Sequence, residues 1–394
     1  MEAEPYETSA TSPWEPLMRR FIPLLLLAAC SASNGSDAAA QPASSATRPF
    51  AARPIATFDE PWAMAFLPGP GPRALITEKK GKLKLLWSDS GRVGDVAGTP
   101  AVDYGGQGGF GDVVLHPGFA RNRLVYLSWV EAGSGRNRGA VVGRARLVTE
   151  GAGAPRLDGL QVIWRQTPKL SGRGHYGHRI AFGPDGKLYI SNGDRQEFTP
   201  AQDMGGTLGK IVRLNDDGTV PKDNPFASRG GVAAQIWSLG HRNPLGLAFD
   251  GKGRLWDVEM GPKGGDELNL VLSGKNYGYP IVSNGDHYDG KDIPDHPTRP
   301  EFEAPKAWWT PVISPGDMIH YSGSLFPQWK GDALIAGLSS KALIRVDIDG
   351  DKAREAERWD MGQRIREVEQ GPDGSVYLLE DGPGGRLLKL TPAG

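Results

Sequence analysis

One turn, written six times, constrains this chain more than any other feature. It recurs in "FLPGPGPRALITEKKGKLKLL", "LHPGFARNRLVYLSWV", "FGPDGKLYISNGD", "FDGKGRLWDVEMG", "LFPQWKGDALIAGLSSKALIRVDI" and "QGPDGSVYLLEDGPGGRLLKL". Each passage runs from an apolar entry, through a tight turn rich in Pro, Gly or Asp, into an alternating strand. Pro117, Pro184 and Gly251 stand about 67 residues apart, and the other intervals run from roughly 45 to 80. That spacing holds one four-stranded sheet per repeat, and no long 3.6-residue apolar period competes with it after Ala51. Such sheets cannot bury both faces alone, and packing them radially solves the problem. The sequence therefore predicts an all-β fold, a six-bladed β-propeller of four-stranded antiparallel blades. A pair of β-sandwiches would not repeat the same turn six times. A propeller leaves function open, but it says where to look: in loops from several blades that converge at one end of the central channel.

Composition agrees. The 394 residues include 55 Gly and 32 Pro, which suits many turns, and 39% hydrophobic content is too high for a disordered chain. A formal net charge of -1 argues against nucleic acid or an anionic membrane surface as a partner. Residues 1–17 read as a non-native extension, and Met18 as the true start. Residues 18–30, "MRRFIPLLLLAAC", have the anatomy of a secretory signal. "LAAC" resembles a bacterial lipobox ending at Cys30, the single cysteine of the chain, so an intrachain disulfide is excluded and a lipidation site is expected. Residues 31–52 read as a flexible tether and 53–394 as the propeller. The expected location is the periplasm or cell envelope, with membrane attachment only through lipid, on the outer membrane.

Four loops carry the polar candidates. "YGGQGGFGD" offers Gln107 among glycines, where a flat ligand can approach the backbone. "GHRNPLGLAF" places His241, Arg242 and Asn243 at a strand entry, where they face solvent or grip a polar ligand. "EMGPKGGDELNLVLSGKNYGYP" gathers Glu259, Asp266 and Glu267 with the carbonyls of Gly261 and Pro262, an all-oxygen set that suits Ca²⁺ or, more blandly, a solvated acidic turn. In "GQRIREVEQGPDG", Arg364 and Arg366 share a strand face, so either a common anion or solvent must separate their charges. A fifth loop, "SGRGHYGHRIAFGPDG", holds His175 and His178, with no third nitrogen ligand nearby to make a metal pair.

Taken in order, these loops resemble the soluble aldose sugar dehydrogenases, quinoproteins that use pyrroloquinoline quinone (PQQ) on a six-bladed propeller. The resemblance runs from about Pro61 to Leu390 and is carried by "GHRNPLGLAF", "EMGPKGGDELN" with "NYGYP", and "FGPDGKLYISNGD" with "LGKIVRLNDDGTVPKDNPF". It implies oxidation of aldoses at C1 to lactones, hydride transfer to PQQ, a bound Ca²⁺, and an external electron acceptor such as a quinone or cytochrome. It makes His175 the general base, four residues before Arg179. Gln107 falls beside quinone and sugar, and Asp194 at a sugar contact. Arg242, Asn243, Arg364 and Arg366 fall at cofactor positions. Gly261 and Pro262, with Glu259 beside them, fall at the metal. The family's lysine falls at Lys341, or at Ser339 in a second alignment. His178 stands where the family usually has a small residue. Met260 and Leu245 also depart from some relatives, and short specificity loops imply broad aldose use. Two other readings remain: a redox-inactive propeller binding a sugar or protein, and a metal-dependent lactonase. The lactonase would need converging carboxylates, where these loops offer arginines.

Overall fold

The computed structural model describes residues 47–149 and 153–394. The signal segment, Cys30 and most of the tether lie outside them. The described chain is built of six four-stranded antiparallel sheets and one small pair of two-residue strands, Lys263–Gly264 with Gly285–Asp286. Blade one starts at Pro61–Leu67, blade two at Phe110–Leu115, blade three at Gly177–Phe182, blade four at Pro244–Phe249, blade five at Pro315–His320 and blade six at Ile365–Gln370. Each of the six repeated turns closes the first hairpin of its blade.

Blade six is completed by the N-terminal strand Phe50–Asp59, which pairs with Pro383–Pro392 and so ties the two ends of the fold together. Phe50, Ala51 and Ala52 therefore belong to this sheet rather than to the tether. The apolar core divides into six buried clusters, one at each contact between neighbouring blades. This is the radial burial that alternating strands require.

Every inner strand carries a register shift at the same level. The residues pushed out of register are Trp62, Gly111 with Asp112, His178 with Arg179, Leu245, Gly316 and Arg366. A bulge breaks strict alternation and re-aims a side chain. Here six bulges aim their residues at the channel.

Arg179 occupies the channel among Asp112, Asp317 and Glu367, at 3.5, 3.5 and 2.7 Å. Its guanidinium also donates to the carbonyls of Leu245 and Gly316, two other bulge residues, at 2.6 and 2.7 Å. The carboxylates in turn join blades: Asp112 accepts from Ile180 N, Asp317 from Val368 N and Glu367 from Met64 N. Burial works against the Arg179 charge, and Asp317, Glu367 and Asp112 more than offset it.

Candidate active site

A cavity of about 230 Å³ opens at the end of the channel where the Gln107 loop lies. Its wall has two origins. Four bulge residues, Trp62, His178, Leu245 and Arg366, face it from the inner strands. Four more, Lys79, Met260, Leu338 and Asp381, each directly follow the second strand of a blade. Gln107, Asn243 and Arg364 complete the polar part. The fold thus repeats a wall position from blade to blade and changes only the side chain.

The arginine pair has the shared anion that its spacing demanded. Arg364 Nε and Arg366 Nε donate to the two oxygens of Asp381, at 2.8 and 3.0 Å. Lys79 joins this cationic side and donates to Gly106 O at 3.1 Å. Burial, then the nearby Arg366 charge, lowers its pKa. Lys341 does not reach the cavity: it is exposed, and neither it nor Ser339 is among the lining residues. Lys79 is the cavity lysine, and the sequence reading passed over it.

His175 sits beside this cavity, flanked by the lining residues Tyr176 and Gly177, and is only 6% exposed. Its backbone N donates to Gln107 Oε1 at 2.7 Å, and its Nδ1 lies 2.6 Å from Asp194 Oδ1. Asp194 is 0% exposed and also accepts from the backbone N of Gln196 and Phe198. Asp194 thus lies behind the histidine, outside the cavity lining, with its carboxylate holding the ring. A carboxylate on Nδ1 keeps the proton there and leaves Nε2 as the basic nitrogen. Nε2 has no hydrogen-bond partner among the described residues and retains accessible surface. Burial lowers the His175 pKa, Asp194 pulls it back up, and Arg242 adds to the lowering.

The local backbone is held under strain. His175, Arg195, Gln196 and Phe198 all have positive φ, costly for residues with a Cβ and common at functional sites. Arg195 pins the histidine loop by donating to the carbonyls of Gly172 and Gly174 and packing on Tyr176.

Arg242 and Asn243 are neither solvated nor free. Their backbone N–H groups donate to Glu259 Oε2, at 2.5 and 3.2 Å, while His241 Nδ1 and Asn269 Nδ2 meet Oε1 at 3.0 and 3.1 Å. Glu259 thus braces the Arg242 loop, and with His241 and Asp257 it forms a buried group of potential ligand atoms lying within 4.8 Å of one another. The acidic turn is likewise buried rather than solvated. Asp266 accepts from the backbone N of Gly261, Ile313 and Ser314, and burial pushes its carboxyl up to about 7. Gly261 and Pro262 border a second, smaller pocket together with Arg242 and Tyr279. Arg242 donates to Met260 O at 3.0 Å, but its buried Nε has no partner among the described residues.

Residues 58–389 match the family described as Glucose / Sorbosone dehydrogenase. The chain is 40% identical over 341 residues to aldose sugar dehydrogenase YliI of Escherichia coli (strain K12), covering 85% of this chain and 90% of that protein. Among solved structures, the apo-form of the soluble aldose sugar dehydrogenase from Escherichia coli superposes with a TM-score of 0.81 at 39% identity, covering 87% of this chain and 100% of that one. The PQQ-bound aldose sugar dehydrogenase from Streptomyces coelicolor gives 0.72 at 28% identity, covering 87% and 98%. A family match that spans all six blades, with a relative this similar over nearly its full length, settles the membership: the chain belongs to the glucose/sorbosone dehydrogenase family.

Proposed function

We propose that this protein is a PQQ- and Ca²⁺-dependent aldose sugar dehydrogenase that oxidises C1 of the sugar to the lactone. The observation that carries this reading is a buried His175–Asp194 pair next to a cavity walled by Lys79, Arg364 and Arg366. The residues fit a flat polycarboxylate. Lys79 and the Arg364 and Arg366 pair, partly balanced by Asp381 and Glu60 in the same wall, answer its charge, and the adjacent Trp62 and His178 rings its planarity, while the unpartnered Nε of Arg242 lies at the neighbouring smaller pocket. Arg242 and Asn243 would hold it from the blade-four side. The carbonyls of Gly261 and Pro262 would be the metal donors, with Glu259 beside them holding Arg242 N and Asn269 Nδ2.

When bound, PQQ supplies the two-electron acceptor and Ca²⁺ the Lewis acid that polarises it. The chain supplies the proton handling. His175 Nε2 takes the C1 hydroxyl proton, and Asp194 holds the ring by Nδ1 and stabilises the imidazolium that results. Gln107, whose Oε1 is occupied by His175 N, keeps its amide N–H groups for the sugar and quinone oxygens. Electrons then leave to an external acceptor. Residues 18–30 as a signal and Cys30 as a lipid anchor in the cell envelope complete the proposal.

The test is direct. Apo-protein titrated with PQQ and Ca²⁺ should show a PQQ absorbance change and aldose-dependent reduction of an artificial dye. Absence of both would refute the reading. Within it, Lys79→Ala should weaken PQQ binding about 10- to 100-fold, the worth of a charge-assisted hydrogen bond. Lys341→Ala should leave binding unchanged, as measured by calorimetry. The opposite ranking would return the lysine role to Lys341.

A further inference from the structure

His178 stands where the family resemblance expects a small residue, yet it lines the cavity and is only 2% exposed. Its ring stacks on Trp62 at 5.0 Å and 12°, and Trp62 packs in turn on the Arg179 guanidinium at 4.0 Å. Arg179 borders the lower channel cavity and Trp62 the upper one, so this stack forms the floor between them. Room for the ring comes from Gly111. A Cβ there would lie 2.0 Å from His178 Cε1.

The tautomer of the ring follows from its partner. Ser128 Oγ accepts from the backbone N of Asp112 at 2.7 Å and lies 2.8 Å from His178 Nδ1. Ser128 is wholly buried, and Nδ1 is the one acceptor within reach of its hydroxyl proton among the described residues. A proton on Nδ1 would leave that hydroxyl hydrogen unpaired inside the protein, at a cost of about 1–3 kcal/mol. Nδ1 therefore accepts, and the ring proton sits on Nε2. That nitrogen has no protein partner among the described residues and keeps accessible surface in the cavity wall. Burial and then Arg179, with smaller help from Arg195 and Arg366 and against the opposing pull of the residue's own backbone, push the His178 pKa down to about 3, so the ring stays uncharged in the physiological range.

We infer that His178 is a neutral hydrogen-bond donor of the cavity, its tautomer set by Ser128 and its Nε2–H offered to an acceptor oxygen of the bound planar cofactor. The inference rests on the PQQ reading above and extends it to a residue that the family resemblance leaves without a role. It divides the two histidines by chemistry. His175 presents a bare Nε2 that takes a proton; His178 presents a protonated Nε2 that gives a hydrogen bond and does not titrate. A neutral imidazole donor can polarise a carbonyl without surrendering its proton.

Two measurements test it. In protein labelled with ¹⁵N-histidine, the His178 ring should show a bare Nδ1 and a protonated Nε2 throughout roughly pH 5 to 8. A proton on Nδ1 would overturn the inference whatever the protein binds. Ser128→Ala should mix the tautomers. Separately, His178→Phe keeps the stack on Trp62 but removes the donor, and should weaken PQQ binding about five- to thirtyfold in calorimetry. If the Phe variant fails to fold, His178→Gln supplies the second comparison: its amide N–H should bind PQQ more tightly than His178→Ala does. Equal affinity of wild type and the Phe variant, or of the Gln and Ala variants, would overturn this inference alone. Wild-type protein that takes up no PQQ would overturn the functional reading with it.

Discussion

Replacing His175 with alanine should lower kcat about 10²- to 10⁴-fold, the usual worth of a positioned general base, while PQQ still binds. Only Nδ1 of the ring is engaged, by Asp194, and the cationic wall of the cavity does not depend on it. Stopped-flow reduction of the bound cofactor by glucose would separate the chemical step from electron release to the dye. Asp194→Asn should cost about as much, roughly 10²- to 10⁴-fold, because an amide can place either its oxygen or its N–H against Nδ1 and no longer balances the imidazolium.

The pH profile carries a sign. Burial lowers the His175 pKa below the ordinary 6.5 and Asp194 raises it in part. The ascending limb of kcat/KM should therefore lie below pH 6.5, with a plateau above it. Asp194→Asn removes the raising contribution, so the limb should move to still lower pH even as the plateau falls. A limb above pH 6.5 in the wild type, or an upward move in the variant, would assign the base elsewhere. His178 is the obvious rival, and its depressed pKa makes it a poor base at neutral pH.

The fold was legible because its signals are local. Pro117, Pro184 and Gly251 each mark a turn made by a few neighbouring residues, and the period between them counts the blades. What did not show was the register shift of each inner strand. A bulge follows from packing around the channel, and alternation gives no hint that Trp62, His178 and Arg366 turn toward the cavity together. Lys79 was missed for a related reason. In "TEKKGKLKLL" it looks like one of several solvated strand lysines. Had the repeats been superposed on their second strands, Lys79 would have fallen level with Met260, Leu338 and Asp381, all of which face the cavity. Asp194 and Glu259 stood out in the sequence, but the donors that the fold brings to them did not: His175 and backbone N–H groups meet Asp194, and His241, Asn269 and backbone N–H groups meet Glu259.

Arg179→Ala should be the most destabilising single change in the channel, at about 3–5 kcal/mol, because it leaves buried carboxylates without their cation. Asp112, Asp317 and Glu367 approach the guanidinium directly, and Glu369 borders the same cavity. Burial already raises the pKa of all four, with Arg179 opposing the rise. Without Arg179 those pKa values climb further. A carboxyl with a raised folded pKa loses stability as pH rises through that value, so the defect should deepen from acid toward neutral and alkaline pH. Thermal unfolding at several pH values would show it, and a Tm drop that is the same at every pH would contradict this account. Arg179→Lys restores a charge but not the fork that reaches the carbonyls of Leu245 and Gly316, and should recover only part of the loss. The guanidinium also supports Trp62, on which His178 stacks, so the effect should reach the site above. Folded Arg179→Ala protein is expected to bind PQQ more weakly than wild type, although Arg179 itself is absent from the cavity wall. The channel network and the site are thus one construction, in which the carboxylates that join the blades fix the arginine that holds up the floor.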